Sequence, residues 1–263
     1  MEENKKFKLV SSKKTRYLLP NILTLAGVCL GISSIKFAID GNFSLAVTLI
    51  LIAAILDALD GRIARLIKGT SEFGKELDSL TDFVSFGIAP VFILYFWELN
   101  NYGKLGWAIS LTYSVCCVLR LARFNLTKVN EKELWKNNFF EGIPSPAGGL
   151  LILMPLIYEL TNFNIGINIK QFTPYLTIFI AILLVSKIPT LALKKISISP
   201  KATVFLLLGI GIVFIALLFY TLESLLIFGI IYLISIPISI LTYSKQNKKN
   251  VDKISDDNHE DIL

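Results

Sequence analysis

The chain has 263 residues, of which 54% are hydrophobic and only 17% are charged, and its mean hydropathy is +0.64. This composition excludes an ordinary soluble domain and favours a protein that crosses the membrane. The net charge of +6 then indicates attraction to anionic lipid headgroups instead of a nucleic-acid surface, so no nucleic-acid partner is expected.

Eight apolar stretches follow one another along the chain, each near the length that crosses a bilayer. About 20 apolar residues in a helix span the hydrocarbon core. We therefore predict an all-α integral membrane protein, a polytopic bundle of about eight transmembrane helices. The stretches are Pro20–Ile39, Phe43–Ile67, Phe73–Trp97, Leu105–Phe124, Ser145–Leu160, Phe172–Leu193, Ala202–Thr221 and Leu225–Tyr243.

The basic residues are distributed unevenly between the two ends of these predicted helices. All but Lys36, Lys104 and Lys170 of the 26 Lys and Arg residues lie in the N-terminal arm, in the tail or after alternate helices. The positive-inside rule then predicts that both termini face the cytoplasm, in the cell membrane. Residues 1–19 form a basic cytoplasmic or interfacial arm, and the polar tail 244–263 is predicted to be disordered.

The junction between the second and third predicted helices carries an unusual set of polar and small residues. On the second helix one face holds Asp57, Asp60, Gly61, Ala64 and Arg65. On the third helix the positions i, i+4 and i+8 hold Gly74, Asp78 and Asp82. Because helices joined by a short link pack as an antiparallel pair, the four carboxylates are expected to surround one small volume.

Four carboxylates in one low-dielectric cleft repel each other, and a divalent metal resolves that repulsion most simply. Mg²⁺ and Mn²⁺ prefer carboxylate oxygens, and four acids favour two ions over one, an arrangement typical of phosphoryl transfer. Gly61, Ala64 and Gly74 would let another group approach the backbone, and Arg65 would supply a cation for a phosphate oxygen. The alternative is surface ion pairing combined with helix packing.

The pattern Asp57-x-x-Asp60-Gly61-x-x-Ala64-Arg65, then eight residues, then Gly74-x-x-x-Asp78-x-x-x-Asp82 resembles the full signature of the CDP-alcohol phosphotransferase family. The resemblance implies that the first three aspartates hold a metal pair. It implies that Asp82 is the general base and a further metal contact. Gly61, Ala64, Arg65 and Gly74 would line the site for the cytidine diphosphate moiety.

Four further segments resemble the phosphatidylserine synthase branch of that family: "PNILTLAGVCLG", "GTSEFGKELDSLTDFVSFGIAP", "LRLARFN" and "FFEGIPSPAGG". The resemblance implies transfer of the phosphatidyl group from CDP-diacylglycerol to L-serine, with release of CMP, at the cytoplasmic side of the membrane. It also implies a homodimer, a catalytic bundle over residues 20–165 and a C-terminal transmembrane extension over residues 166–243. Choline, glycerol 3-phosphate, inositol phosphate or another alcohol stays open as the acceptor.

Five further residues have both a functional and a structural interpretation. The resemblance suggests that Asn21 and Thr24 touch the nucleotide, while helix capping is the alternative. Arg120 and Arg123 would bind the serine carboxylate or a phosphate oxygen, or extend to lipid headgroups. Ser145 is a polar contact for the substrate or an N-cap.

A metal or ion transporter is the rival from a different class of protein, since intramembrane acids also line ion pathways. Transporters tend to show repeated halves with broken helices at the midplane. Residues 145–243 contain no second acidic cluster, and the predicted acids lie near one membrane face. Both observations favour an enzyme.

Overall fold

The computed structural model describes residues 13–67, 71–126, 139–161, 168–191 and 200–260, so most of the N-terminal arm lies outside the described residues. The described chain is helical apart from one short pair of strands. The helices and strands in chain order are α1 (Lys13–Ile39), α2 (Phe43–Leu66), α3 (Glu72–Asp82), α4 (Ala89–Trp97), α5 (Lys104–Leu126), β1 (Phe139–Glu141), α6 (Ser145–Ile152), α7 (Met154–Leu160), α8 (Thr173–Val185), β2 (Pro189–Leu191), α9 (Pro200–Phe219) and α10 (Thr221–Glu260).

Five helical stretches of the described chain are long and apolar enough to cross a membrane. They coincide with five of the eight predicted spans, and they make the chain a multi-pass membrane protein. The stretches are Leu18–Ile39, Phe43–Leu66, Glu72–Trp97, Lys104–Leu126 and Thr221–Ser244.

The other three predicted spans are not among these five stretches. One is divided into two helices, one is shorter than predicted, and one coincides with a helix. Ser145–Leu160 is divided into α6 and α7 at Leu153, because Pro155 has no N–H with which to continue the helical hydrogen bonds. The span predicted to reach Leu193 ends as α8 at Val185, shortly before Pro189, and continues into β2. The seventh predicted span coincides with α9.

A π-helical turn, Phe83–Ile88, joins α3 to α4 directly after the last signature aspartate. Its wide turn changes the backbone hydrogen-bond pattern, and two side chains of α5 bind the carbonyls there. Tyr113 donates to the Phe86 carbonyl at 3.0 Å, and Ser114 donates to the Gly87 carbonyl at 3.1 Å. The turn is therefore held by α5, the helix that also carries Arg120.

α1 lies close against this same region. A Cβ on Gly31 would come within 2.9 Å of the Ser85 Cα, so only glycine permits the observed approach of the two backbones. Ser85 donates to the Gly27 carbonyl at 3.1 Å. These contacts place the first helix beside α3, as small residues do at membrane helix interfaces.

The two strands join the segment before α6 to the segment after α8. β1 and β2 are antiparallel, with Phe139 opposite Leu191 and Glu141 opposite Pro189. In addition, α8 packs against α5 and α6, while α10 packs against α7 and β2. The segment predicted as a C-terminal extension thus contacts the helices that carry the candidate site.

In the structure α10 continues beyond its apolar part to Glu260, and the disorder of the polar tail stays a prediction from the sequence. No glycine or proline follows Pro237 up to that residue, so the sequence contains no strong helix breaker there. The helix that begins in an apolar span therefore propagates into the polar sequence.

Candidate active site

The signature residues meet at one end of the bundle, where α2 ends and α3 begins. Asp57 and Asp60 lie in the last turns of α2, while Asp78 and Asp82 lie on the facing side of α3. The start of α1, the end of α5 and the start of α6 reach the same place, as the hydrogen bonds of their side chains show. The predicted antiparallel pairing of the two polar faces agrees with this arrangement.

Three of the four carboxylates form a compact group of oxygen ligands. One oxygen each from Asp57, Asp60 and Asp78 lies within 4.8 Å of the others. Asp60 is only 4% exposed, and the other two are half-buried. Burying three negative charges this close together is costly unless a cation accompanies them.

Thr24 orients one of these carboxylates from α1. Its Oγ1 lies 2.6 Å from the Asp60 Oδ2 and 3.0 Å from the Pro20 carbonyl one turn earlier in its own helix. Thr24 is buried. Besides the two roles predicted from the sequence, nucleotide contact and helix capping, it therefore has a third one, the support of Asp60. The hydroxyl lies within hydrogen-bond distance of Asp60 and orients its carboxylate.

Asp82 lies at the end of α3 and is held by a different set of partners. Ser145 donates to the Asp82 Oδ2 at 2.7 Å, and Arg120 donates through Nη1 to the Ser145 Oγ at 3.0 Å. The Asp82 Oδ1 is buried and has no hydrogen-bond partner in the described part of the chain. One oxygen of this carboxylate is therefore engaged, and the other lacks a protein donor.

The comparison with known proteins agrees with this geometry. The model of the CDP-alcohol phosphatidyltransferase family matches residues 17–241 of the chain. The chain belongs to the CDP-alcohol phosphatidyltransferase family. The resemblance seen in the aspartate signature is thereby confirmed, and the matched region runs from the first turns of α1 through α9 and into α10.

The chain is similar to three bacterial proteins, each called CDP-diacylglycerol–serine O-phosphatidyltransferase. The protein of Mycobacterium leprae is 38% identical over 85% of this chain and 74% of its own length. The protein of Helicobacter pylori is 36% identical over 83% of this chain and 89% of its own. The protein of Bacillus subtilis is 34% identical over 56% of this chain and 81% of its own.

The residues present fit the divalent metal that the family signature implies. The three grouped ligands are all carboxylate oxygens, the donors that Mg²⁺ and Mn²⁺ prefer. Asp57 also lies within interaction distance of Asp82, and neither carboxylate can donate a hydrogen bond when ionised. A cation would compensate this charge.

The small signature residues differ in what surrounds them. A Cβ on Gly61 would meet no heavy atom within 4 Å in the described chain, so packing inside the protein does not require glycine there. A Cβ on Gly74 would lie 3.1 Å from the Ser71 Oγ and 3.4 Å from the Asn21 Oδ1. Gly74 therefore has a packing explanation, whereas no contact with the described residues requires glycine at Gly61.

Two of the three arginines predicted near the site, Arg65 and Arg123, also differ from each other. The exposed Arg65 donates through Nε to the Gly61 carbonyl at 2.9 Å, which fixes its side chain along α2. Arg123 instead donates to the carbonyls of Val185 at 2.7 Å and Ser186 at 3.1 Å, at the C-terminal end of α8. These bonds satisfy carbonyls that a helix end leaves unpaired, a role the sequence did not predict for Arg123.

The sequence did not identify the partners of Ser145 and Arg120, or Ser71 as the N-cap of α3. Ser71 accepts from the Gly74 N–H at 2.9 Å, and a serine just before an amphipathic helix is a recognisable capping signal. Ser145 is not a capping residue, because it occupies the first position inside α6 after the N-cap Pro144. No local sequence pattern predicts the contact of Ser145 with Asp82, which lies 63 residues away in the chain.

Proposed function

We propose that this chain transfers the phosphatidyl group of CDP-diacylglycerol to the hydroxyl of L-serine, giving phosphatidylserine and CMP. The observation that carries the proposal is the group of three carboxylates within 4.8 Å beside a fourth, Asp82, whose Oδ1 has no hydrogen-bond partner among the described residues. The names of the similar bacterial proteins support serine as the acceptor.

Asp82 would act as the general base. Its Oδ1 would accept the proton of the serine hydroxyl while that oxygen attacks the phosphorus nearest the diacylglycerol. The bond that breaks joins this phosphorus to the oxygen bridging to CMP, which leaves with the electron pair. Arg120 holds a positive charge close to this position and would stabilise the carboxylate form of Asp82 before the transfer.

The nucleotide would lie over the opening between α2 and α3. The lack of neighbours around Gly61 leaves room for the diphosphate to approach the helix backbone, and Arg65 stands one turn further along α2. Asn21 of α1, which lies beside Gly74, would contact the cytidine end. The acyl chains would extend along the apolar outer surface of the bundle.

Asp57, Asp60 and Asp78 would hold the metal, with Asp82 as a further contact. Two divalent ions bound there would neutralise the diphosphate and the charge that develops on the leaving CMP. Placement of this end of the bundle at the cytoplasmic surface rests on the distribution of Lys and Arg. The homodimer and the boundary at residue 165 stay predictions from the sequence.

An acceptor assay on the purified protein tests the proposal. CDP-diacylglycerol in detergent micelles would be supplied with Mg²⁺ or Mn²⁺ and, in separate reactions, with radiolabelled serine, choline, glycerol 3-phosphate or inositol phosphate. We expect CMP release and labelled lipid with serine. The control variant is Asp40→Asn, since Asp40 lies between α1 and α2, away from the site, and pairs with Lys36.

Other outcomes would point elsewhere. Release of CMP that depends on a different alcohol would keep the chemistry and replace the acceptor. Movement of Mn²⁺ across liposomes without any CDP-lipid, together with no CMP release under any condition, would contradict the enzyme and favour a transporter.

A further inference from the structure

A chain of three side chains connects α5, α6 and α3 behind the proposed base. Arg120 donates to the Ser145 Oγ at 3.0 Å, and Ser145 donates to the Asp82 Oδ2 at 2.7 Å. The guanidinium of Arg120 also lies over the Phe124 ring, 5.3 Å from its centre. The arginine is thus held on two sides, and its orientation toward Ser145 is constrained.

The direction of these hydrogen bonds follows from the chemistry of the groups. A guanidinium carries only donors, and an ionised carboxylate carries only acceptors. The hydroxyl between them must therefore accept from Arg120 and give its single hydrogen to Asp82. Ser145 has no second hydrogen left to offer a substrate, and it is completely buried.

The position of Ser145 is determined by the segment just before it. Gly142 donates to the Ile188 carbonyl at 2.8 Å and accepts from the Thr190 hydroxyl at 2.8 Å. These two bonds continue the pairing of β1 with β2 to within three residues of Ser145. The start of α6 is therefore anchored to the segment that follows α8.

We propose, on the basis of the function proposed above, that Ser145 is a positioning residue for Asp82. By holding Oδ2, Ser145 leaves Oδ1 as the oxygen that receives the proton of the acceptor hydroxyl. By linking the carboxylate to Arg120, it also keeps the base close to a fixed positive charge. In this role Ser145 contacts neither serine nor CDP-diacylglycerol.

The test compares Ser145→Ala with Ser145→Thr and with a matched control. Ser145→Ala removes the bond to Asp82, and misdirecting a reactive group in this way costs on the order of 10²-fold in rate. We expect that loss in kcat, with the KM values for serine and CDP-diacylglycerol changed by less than about threefold. Ser145→Thr keeps the hydroxyl and should recover most of the lost kcat.

Ser110→Ala is the matched control. Ser110 is also a buried serine, but its hydroxyl donates to the Gly106 carbonyl of its own helix at 2.9 Å. This variant should keep the wild-type kcat. Mn²⁺ binding, measured by electron paramagnetic resonance of the free ion, should weaken by no more than about tenfold in Ser145→Ala, because Asp57, Asp60 and Asp78 are untouched and only the further contact Asp82 loses a supporting bond.

Three results would overturn the inference. A raised KM for serine at unchanged kcat would make Ser145 a substrate contact, and full activity of Ser145→Ala would remove any role. A large loss of Mn²⁺ affinity would assign Ser145 to the metal site instead. A wild-type protein without serine-dependent CMP release would contradict the proposed function itself, which separates that failure from the failure of this inference.

Discussion

Replacing Gly142 by alanine tests how tightly the segment before α6 is held against the end of α8. Gly142 has φ of +75°, a left-handed conformation that costs an ordinary L-residue roughly 1–2 kcal/mol. A Cβ there would lie 2.8 Å from the Ser186 carbonyl oxygen and 3.0 Å from that of Leu184. Both are backbone atoms, so relief requires a backbone shift, which typically costs about 1–3 kcal/mol more.

Gly41→Ala is the control for this variant. Gly41 has nearly the same φ, +78°, but a Cβ there would meet nothing within 4 Å in the described chain. Gly41→Ala should therefore lose only the conformational part of the free energy of unfolding. Because about 1 kcal/mol shifts the melting temperature of a chain of this size by roughly 2–4 °C, Gly142→Ala should melt about 2–12 °C below Gly41→Ala.

The assay is thermal unfolding of both variants in one detergent, followed by serine-dependent CMP release at a temperature where both are folded. Gly142→Ala should also lose activity, because the displaced segment carries Ser145 away from Asp82. Gly41→Ala lies at the other end of α1 and α2 and should keep its activity. Equal melting temperatures, or full activity of Gly142→Ala, would refute the reasoning.

Three further predictions concern the carboxylates directly. Asp82→Asn should lower kcat by about 10²–10⁴-fold without lowering the melting temperature. The control Asp40→Asn should leave kcat unchanged. Near-normal turnover of Asp82→Asn would reject the assignment of the base. Chelation with EDTA should abolish CMP release and added Mg²⁺ or Mn²⁺ should restore it, so activity that survives complete chelation would contradict the metal. Thr24→Val removes the bond to Asp60 at nearly constant volume and should weaken Mn²⁺ binding by about 10–100-fold, measured by titration calorimetry; unchanged affinity would show that the bond does not support the metal site.

Several features of the site follow from local spacing and were predictable from the sequence. The intervals between Asp57 and Asp60 and between Asp78 and Asp82 place each pair on one helix face, whatever the rest of the fold does. A link of a few residues then brings the two faces together. The membrane class follows equally directly, because a run of about 20 apolar residues has few other stable environments.

The predicted helix bounds that were wrong lie where a proline interrupts an apolar sequence. Pro155 divides one predicted span, and the approach to Pro189 ends another at Val185, although hydropathy alone continues to Leu193.

The sequence by itself determined that the chain crosses the membrane repeatedly, that four aspartates face one another and that these belong to a known family signature. Only the tertiary structure decided what surrounds them. Ser145 reaches Asp82 across 63 residues of chain, and Arg123 reaches the carbonyls at the end of α8 across about 62. Periodicity acts within one helix, whereas such contacts depend on how α3, α5, α6 and α8 pack against each other, and side-chain packing of the whole bundle sets that arrangement.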